Sequence, residues 1–303
     1  MKLNKTTKIL ITGSGGMLGD AFYNFLNNKC NVKATDIDIN TEWLEYLDVR
    51  DFEEYKKMIK AFKPEIILHL AALTDLEYCE KNIENTYLTN TTSVENAVIL
   101  ANSIDATLVY ISTAGIFDGK KDEYDDWDLP NPINVYGRSK YMGEIYVEKN
   151  MDKYFVFRAG WMMGSGPKKD KKFIQKIMQQ IKEGKKQLSV VDDKLGTPTY
   201  TYDFAKNVIS MLETDLYGIY NLVCDQDCSR FDVAEEILKI LELEKEINIE
   251  KVNSDYFAEE YFAPRPASEK LVCSKLRLRQ NYLMNDWKLS LKEYLVQSYA
   301  DYL

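Results

Sequence analysis

The stretch that decides the fold is Lys8-Ile-Leu-Ile-Thr-Gly13-Ser-Gly-Gly16-Met-Leu-Gly19, near the start of the chain. A short apolar run, typical of a buried strand, leads into three glycines spaced three apart, and apolar residues at helical spacing follow. Such glycines permit a tight turn, let the backbone approach a pyrophosphate closely, and precede helix N–H groups that favour an anion. We therefore expect a dinucleotide to be held here by Gly13, Gly16, Met17, Leu18 and Gly19. A glycine-rich turn without a ligand is the alternative.

The rest of the chain divides into a regular part and a less regular part. Short apolar runs alternate with amphipathic, helix-length segments up to about residue 158, as in βαβ units of a parallel sheet. The predicted strands are residues 8–12, 31–36, 65–70, 106–112 and 153–158. Beyond residue 160 the pattern predicts helices near 172–183, 201–213, 230–242 and 289–300, with short strands near 187–191, 217–222 and 246–251.

This organisation predicts an α/β fold with two units. Residues 1–160 should form a dinucleotide-binding domain around a Rossmann-type, doubly wound parallel sheet. Residues 161–303 should form a smaller, mixed α/β lobe that binds substrate, with the chain interleaving between the two units.

Composition limits the partners of the chain. Its 303 residues carry 39 basic and 48 acidic side chains, a formal charge of −9, and no sustained basic stripe, so we expect no nucleic-acid partner. No run approaches the ~18 apolar residues of a bilayer span, so we expect no membrane crossing. An anionic ligand must then be held locally. The run Lys168-Lys-Asp-Lys-Lys172 is interpreted as a solvated loop, with a phosphate clamp as the alternative.

The cysteines predict a reducing compartment, and the single histidine argues against a metal site. The five cysteines are scattered, and the N-terminus lacks the apolar stretch and cleavage site of a secretory signal, so we expect a cytoplasmic protein. The single histidine, His69, excludes multi-histidine metal sites, and its place in an apolar run favours a structural role. We expect no metal.

Asp36 closes the second predicted strand, 17 positions after Gly19. A carboxylate there accepts hydrogen bonds from an adenosine ribose and repels a 2′-phosphate, and no Arg or Lys occurs in residues 37–41. We therefore expect NADH as the cofactor, with NADPH possible. A turn-forming aspartate is the alternative. Asp48 and Val49 are weaker candidates for the adenine edge.

Tyr136 and Lys140 lie one helical turn apart, on the same face of a predicted helix. A neighbouring ammonium lowers the pKa of a phenol, which predicts a poised acid. Ser112 and Thr113 end an apolar strand, where open α/β sheets bind ligands and a hydroxyl can donate to a substrate carbonyl. The alternatives are a surface pair for Tyr136 and Lys140, and capping or turn formation for the hydroxyls.

Taken in order, the glycine loop, Asp36, the strand-end hydroxyl and Tyr-x-x-x-Lys resemble the extended short-chain dehydrogenase/reductases over nearly the whole chain. Further segments resemble the dTDP-4-dehydrorhamnose reductase family: His69-Leu-Ala-Ala-Leu-Thr74-Asp-Leu76 with Asn90 downstream, Arg158-Ala-Gly-Trp161, Gly196-Thr-Pro-Thr-Tyr-Thr-Tyr-Asp203 and Arg265-Pro-Ala-Ser268. The resemblance implies an NAD(P)H-dependent reductase of a 4-keto nucleotide-diphosphate sugar.

The resemblance also implies roles for individual residues. Tyr136 would protonate the carbonyl oxygen as hydride arrives, Lys140 would hold the nicotinamide ribose and tune Tyr136, and Thr113 would orient the carbonyl. It places Ala71 and Ala72 at the cofactor, and it places at the substrate Thr74, Leu76, Thr113, Trp161 and Arg265. The alternatives are a core aromatic for Trp161 and a surface ion pair for Arg265.

One segment departs from the family pattern. The reductases have Ser-Thr-Asp-Tyr where this chain has Ser112-Thr113-Ala114-Gly115, so the Asp and Tyr that would help to grip a deoxysugar are missing. Small residues there resemble nucleotide-sugar epimerases of the same superfamily. An epimerase, or a non-catalytic NAD(P)-binding subunit like the regulatory partner of methionine adenosyltransferase, is therefore the alternative function. A homodimer is one oligomeric state open to this chain.

Overall fold

The computed structural model describes residues 2–303. Its strands are β1 (Lys8–Thr12), β2 (Asn31–Asp36), β3 (Leu44–Tyr46), β4 (Ile66–His69), β5 (Thr107–Thr113), β6 (Tyr154–Ala159), β7 (Trp161–Met163), β8 (Gln187–Val191), β9 (Leu195–Gly196), β10 (Pro198–Tyr200), β11 (Gly218–Asn221), β12 (Cys228–Ser229), β13 (Asn248–Val252) and β14 (Ser268–Glu269). Its α-helices are α1 (Met17–Leu26), α2 (Phe52–Phe62), α3 (Leu76–Lys81), α4 (Ile83–Tyr87), α5 (Ser93–Ser103), α6 (Val135–Asn150), α7 (Gly166–Lys169), α8 (Phe173–Lys182), α9 (Thr201–Leu212), α10 (Arg230–Ile240), α11 (Ser274–Leu278) and α12 (Trp287–Tyr299).

Seven strands form one central sheet in the order β11-β6-β5-β4-β1-β2-β3, and every neighbouring pair is parallel. The chain starts at β1, runs outward to β3, and returns to β4 on the other side of β1. The winding direction therefore reverses between β1 and β4. Open α/β sheets bind ligands beyond the carboxyl ends of their strands at such a reversal. The expected Rossmann-type α/β fold is confirmed.

Two strands of this sheet differ from the sequence expectation. β3 has only three residues, two of them exposed, so it carries no apolar periodicity and was not predicted. β11 matches the strand predicted near 217–222 but lies in the central sheet rather than in the C-terminal lobe, because Gly218 to Asn221 pair with Phe155 to Arg158 of β6. The central sheet therefore draws on residues beyond 160.

Helices cover both faces of the sheet, which explains its nearly continuous apolar strands. Successive side chains of β1 point to opposite faces, and Ile9, Leu10 and Ile11 are all fully buried. Ile9 and Ile11 belong to a core that continues into the C-terminal lobe through Phe204 and Trp287, whereas Leu10 packs into the core on the other face.

The remaining strands form small sheets that pair β7 with β10 and β8 with β13 and place β9 between β12 and β14. β7 begins one residue after β6 ends, so the lobe grows directly from the carboxyl end of the central sheet. No helix within residues 2–303 is long and apolar enough to cross a membrane.

Candidate active site

The glycine loop connects β1 to α1 at the reversal point. Gly13 has a φ of +71°, and a Cβ on it would lie 2.4 Å from the backbone nitrogen of Ala71. A Cβ on Gly19 would lie 2.3 Å from Cα of Ser14. Gly16 is different, because it is exposed and leaves the N-terminus of α1 without a side-chain cap. The nearest atom to a Cβ on Gly16 would be the Gly13 carbonyl oxygen, at 3.9 Å. The loop therefore packs tightly at two glycines and opens a cradle at the third, beside the unpaired N–H groups of α1.

The predicted contacts of the first helical turn are not all of one kind. Leu18 is buried and its side chain packs into the core, so only its backbone can face a ligand, whereas Met17 is half-buried. The predicted cradle is therefore made mainly of backbone groups.

Asp36 lies at the end of β2 and contacts this loop. Its Oδ2 accepts the Gly15 N–H at 2.8 Å, and its Oδ1 accepts the Asp38 N–H at 3.0 Å. Asn40 donates from Nδ2 to the Gly15 carbonyl at 3.2 Å. Asp36 thus stabilises a turn, as the alternative interpretation holds, and also places its carboxylate at the edge of the cradle.

Asp48 and Val49 follow β3. Arg50 donates from Nε to Asp48 Oδ1 at 2.9 Å and from Nη1 to Asn85 Oδ1 at 2.8 Å, and its hydrogen bond lowers the pKa of Asp48. Val49 is buried in the core. Because Asp48 is bound to Arg50 and Val49 is buried, an adenine contact at these two residues has less support than a ribose contact at Asp36.

The segment after β4 lies against the glycine loop. Ala71 and Ala72 are half-buried, and Ala71 is the residue that a side chain on Gly13 would strike. His69 is fully enclosed, with Nδ1 3.2 Å from the Thr12 hydroxyl and Nε2 3.0 Å from the Ser93 hydroxyl. Burial lowers the pKa of His69 to about 3, so the ring is neutral at pH 7 and bridges two elements. This geometry agrees with a structural role.

Asn90 ties the same segment to α6. It lies in a π-helical stretch, Leu88–Thr92, and such interruptions of α-helices are frequent at functional sites. Its Oδ1 accepts the Leu73 N–H at 2.8 Å, and its Nδ2 donates to Ser139 Oγ at 3.0 Å. Asn90 therefore sets the distance between the loop after β4 and the helix that carries Tyr136.

Close packing of α6 places Tyr136 beside Thr113. A Cβ on Gly137 would lie 2.2 Å from the carbonyl oxygen of Gly115, so only glycine lets this helix approach the turn after β5. The Thr113 hydroxyl accepts the Gly115 N–H at 3.1 Å and lies close enough to the Tyr136 phenol to lower its pKa. The Ser112 hydroxyl is buried and has no hydrogen-bond partner among residues 2–303. Of the two predicted hydroxyls, Thr113 is the one that meets the phenol.

Burial sets the protonation of Tyr136 and Lys140. It raises the pKa of Tyr136 to about 12, while the Thr113 hydroxyl lowers it. The expected net lowering of the Tyr136 pKa is therefore wrong for the protein without ligand, because the loss of water around the phenol is the largest effect. Burial lowers the pKa of Lys140 to about 7, and its Nζ lies 4.3 Å from the Tyr110 ring centroid. At neutral pH the phenol holds its proton, as a proton donor must.

Trp161 is not a simple core aromatic. Its ring lies so close to Gly196 that a Cβ there would come within 2.3 Å of it, and the Arg230 guanidinium lies 3.7 Å from its centroid. Its Nε1 donates to Glu269 Oε2 at 2.8 Å. The indole is half-buried and forms a polar cluster with Arg230 and Glu269.

Further residues predicted at the substrate come from the start of α3 and from the Arg265 segment. Together with the polar cluster at Trp161 we call this region the cleft around Trp161. Lys172 donates from Nζ to Thr74 Oγ1 at 3.0 Å, so the lysine run is not merely a solvated loop. Leu76 is half-buried at the start of α3. Arg265 forms an ion pair with Glu77 at 2.7 Å and donates to the Ala263 carbonyl at 2.9 Å. The alternative for Arg265, an ion pair, is thus present, although it is half-buried within the cleft.

Sequence reasoning missed two residues of this cleft, Arg230 and Glu269, and it gave Lys172 a ligand role only as the alternative to a solvated loop. Burial is the larger cause of the lowered pKa of both Arg230 and Lys172; Arg265 lies close enough to Arg230 to lower its pKa further, and Arg230 in turn lowers the pKa of Lys172. For Glu269, the sequence offered one signal of a role in the cleft, its position directly after the Arg265-Pro-Ala-Ser268 segment. Arg230 lies in no motif that could have identified it.

The fold and the Tyr136–Lys140 pair beside the glycine loop define an extended short-chain dehydrogenase/reductase. Within that class the chain belongs to the family described as the RmlD substrate binding domain, whose model matches residues 7–300.

Relatives of known name match over nearly the full chain. The spore coat polysaccharide biosynthesis protein SpsK of Bacillus subtilis is 29% identical over 295 residues, covering 95% of this chain and 97% of SpsK. The crystal structure of dTDP-4-dehydrorhamnose reductase from Yersinia enterocolitica is 33% identical, with a TM-score of 0.86 over 96% of this chain and 99% of that one. The Bacillus anthracis reductase in complex with NADP is 29% identical, with a TM-score of 0.89 over 98% of this chain and 100% of that one.

Counterparts of the two alternative functions match either over less of their length or at lower identity. Methionine adenosyltransferase 2 subunit beta of Xenopus tropicalis is 28% identical over 279 residues, which cover 89% of this chain and 81% of that protein. A UDP-glucose 4-epimerase of Thermus thermophilus shares 18% identity, so it shows a common fold alone. The comparisons favour a reductase over both alternatives.

Proposed function

We propose that this chain is an NAD(P)H-dependent reductase of a 4-keto nucleotide-diphosphate sugar, of the dTDP-4-dehydrorhamnose class. The observation that carries the proposal is the protonated Tyr136 beside Thr113, one helical turn from the buried Lys140 and at the same sheet edge as the glycine cradle. The reductases that match the chain from end to end support the same assignment.

The residues at the reversal point fit a dinucleotide. Space over Gly16 and the uncapped N-terminus of α1 suit a pyrophosphate, and the Asp36 carboxylate suits a ribose. We propose that the dinucleotide is held in this crevice by Gly13, Gly16, Met17, the backbone of Leu18, Gly19, Asp36, Ala71 and Ala72. We propose NADH as the preferred cofactor because Asp36 has no compensating cation in residues 37–41.

In this mechanism the bound dinucleotide supplies the hydride. Tyr136 holds its proton on Oη and donates it to the substrate carbonyl oxygen as negative charge develops there. Thr113 orients that oxygen by a second hydrogen bond. Lys140, charged near its pKa of about 7, stabilises the phenolate that Tyr136 becomes and binds the ribose next to the reacting ring.

The substrate would lie in the cleft around Trp161. Lys172, Arg230 and Arg265 bring positive charge to a chain whose net charge is −9, which is the local anion site that a diphosphate requires. We propose Thr74, Leu76 and Trp161 as further contacts of the nucleotide sugar.

We also propose that the enzyme works in the cytoplasm. All five cysteines are buried and unpaired, as expected in a reducing compartment, where thiols persist.

The decisive experiment follows NAD(P)H absorbance with dTDP-4-dehydrorhamnose as substrate. A reductase consumes one equivalent of NAD(P)H for each sugar reduced. Epimerisation without a net absorbance change would replace the proposal with the epimerase, and cofactor binding without turnover of any nucleotide sugar would favour the regulatory subunit.

A further inference from the structure

Glu269 occupies the space that the small residues after Thr113 leave open. A Cβ on Gly115 would lie 3.3 Å from Glu269 Oε1 and 3.5 Å from Thr113 Oγ1, so the carboxylate and the hydroxyl flank the same glycine. This glycine stands in the segment where the reductase pattern has Asp-Tyr. A carboxylate from β14, more than 150 residues further along the chain, has therefore taken up a place next to the proposed reaction centre.

The carboxylate is held in one orientation. Trp161 donates from Nε1 to Glu269 Oε2 at 2.8 Å, and the indole itself is confined between Gly196 and the Arg230 guanidinium. Among residues 2–303, Oε1 receives no hydrogen bond. One oxygen is thus fixed by the protein, and the other is left with its full capacity to accept a hydrogen bond.

The electrostatics agree with this placement. Burial is the main cause that raises the pKa of Tyr136, and the charges of Cys79 and Glu269 add smaller increases. Glu269 also raises the pKa of Arg230, against the larger effect of burial. The Glu269 charge is therefore felt both at the proton donor and in the cationic part of the cleft.

We propose that Glu269 Oε1 accepts a hydrogen bond from the sugar hydroxyl on the carbon next to the reacting carbonyl, and so selects 4-keto sugars that carry a 3-hydroxyl group. The inference rests on the proposed function, because Tyr136 and Thr113 must hold the carbonyl for Glu269 to meet its neighbour. Glu269, from β14, would then bind the sugar in place of the Asp-Tyr that this chain lacks after β5.

Physical chemistry explains why such a contact discriminates strongly. A carboxylate oxygen that is desolvated by the bound sugar and meets no donor loses its hydrogen bond to water without replacement. Sugars lacking the hydroxyl should therefore be penalised more than the loss of one neutral contact would suggest.

The test compares two substrates in wild type, Glu269→Ala and Glu269→Gln: dTDP-4-keto-6-deoxyhexose and its 3-deoxy analogue. For wild type we expect kcat/KM to be about 10- to 100-fold higher with the 3-hydroxyl substrate. Glu269→Ala should remove this preference, and Glu269→Gln should reduce it. Glu259→Ala, an exposed residue of the same lobe, is the matched control and should behave as wild type.

A second variant probes the contact without removing the charge. The methyl group of Gly115→Ala would approach Oε1 to 3.3 Å and press it aside by a few tenths of an ångström, so the preference should fall in the same direction as in Glu269→Ala, but less.

Three results would overturn the inference. In the first, Glu269→Ala slows both substrates equally, which would limit Glu269 to holding Trp161. In the second, wild type shows no preference between the substrates. In the third, wild type exchanges the proton on the carbon next to the carbonyl with deuterated solvent and Glu269→Gln does not, which would make Glu269 a base.

Calorimetry separates this inference from the proposed function. Binding of the reduced dTDP-sugar and of its 3-deoxy form, measured without turnover, should show the same preference and the same loss in Glu269→Ala. If neither keto sugar is reduced but this binding preference is present, the reductase function falls and the hydroxyl contact survives. If binding is no tighter than that of dTDP alone, the contact is absent.

Discussion

The crevice over the glycine loop and the cleft around Trp161 differ in the chemical groups that face a ligand. Around the glycine loop, the groups that would meet a ligand are backbone N–H groups and the space over Gly16, and they come from one short stretch of chain. Around Trp161 they are side chains from distant parts of the chain: Lys172 directly precedes α8, Arg230 opens α10, and Glu269 lies in β14. The first site is therefore formed by one sequence motif, whereas the second forms only when distant parts of the chain come together in the fold.

The comparison teaches where substrate choice can change. A backbone cradle tolerates few substitutions, because its glycines are in contact with Ala71 and Ser14. A cleft of converging side chains can exchange one group for another from a different strand, as Glu269 does for the Asp-Tyr that this chain lacks. Cofactor use should therefore be the more constant property, and sugar preference the more variable one.

The largest expected effect lies at the point where the two regions meet. Tyr136→Phe removes one oxygen and keeps the ring, so NADH affinity and stability should barely change while turnover falls by ~10²–10⁴-fold. Lys140→Met should lower turnover and NADH affinity together, because this side chain serves both the phenol and the ribose. Steady-state kinetics and NADH titration of both variants make the measurement. Wild-type turnover in Tyr136→Phe would mean that the proton comes from elsewhere.

The next effect tests the backbone cradle alone. Gly16→Val fills open space, so the protein should remain folded while NADH binding weakens by roughly 100-fold or more, since bulk stands where a pyrophosphate meets the backbone. Gly19→Val is the matched contrast, because its side chain would strike Ser14 and should cost stability as well. Calorimetric NADH titration and thermal unfolding distinguish them. Unchanged NADH affinity in Gly16→Val would show that the loop is only a turn.

A smaller effect concerns Lys140 in the protein without ligand. Its folded-state pKa of about 7 lies below the ordinary 10.5, so between these pH values the unfolded chain binds a proton that the folded chain does not. This contribution should make wild type gain stability as pH rises above 7, by up to about 1.4 kcal/mol per pH unit relative to Lys140→Met, and lose it as pH falls back toward 7. Urea unfolding of both proteins across this window is the measurement. Parallel pH profiles would contradict the lowered pKa of the buried lysine.

The smallest effect concerns the cofactor's 2′ position. Wild type should prefer NADH, and Asp36→Asn should shift the ratio of kcat/KM values toward NADPH by about tenfold, because one repulsive charge is removed while the hydrogen bond to Gly15 can be retained. Asp38→Asn, next to the same turn, is the control and should leave the ratio nearly unchanged. A wild-type preference for NADPH would contradict the prediction and direct attention to Arg50.

The crevice over the glycine loop and the pairing of Tyr136 with Lys140 could be predicted from the sequence, because each depends on residues that are close together in the chain. The glycine spacing, the strand ending at Asp36 and the Tyr136–Lys140 interval all act over less than one βα unit, so sequence neighbours are also spatial neighbours. The doubly wound parallel sheet was predicted from the alternation of strands and helices, whereas its strand order and the reversal between β1 and β4 come from the structure.

The substrate half was predictable only in part, because burial and long-range contacts decide it. Lys172 looks like a solvated charge, yet it reaches Thr74, and Arg265 carries the family motif, yet it is paired with Glu77. The pKa of Tyr136 was misjudged for the same reason: the Lys140 spacing is visible in the sequence, but the loss of water around the phenol is not.

The position of β11 has a consequence for synthesis of the protein. Strand β6, with the fully buried Phe155 and Phe157, leaves the ribosome before its partner Gly218–Asn221 has been translated. During that interval one edge of the growing sheet is unpaired, and an open apolar strand can pair with a neighbouring nascent chain. A truncated product that ends at the close of β6 keeps this edge permanently. Such a fragment should aggregate rather than persist as a free-standing nucleotide-binding module.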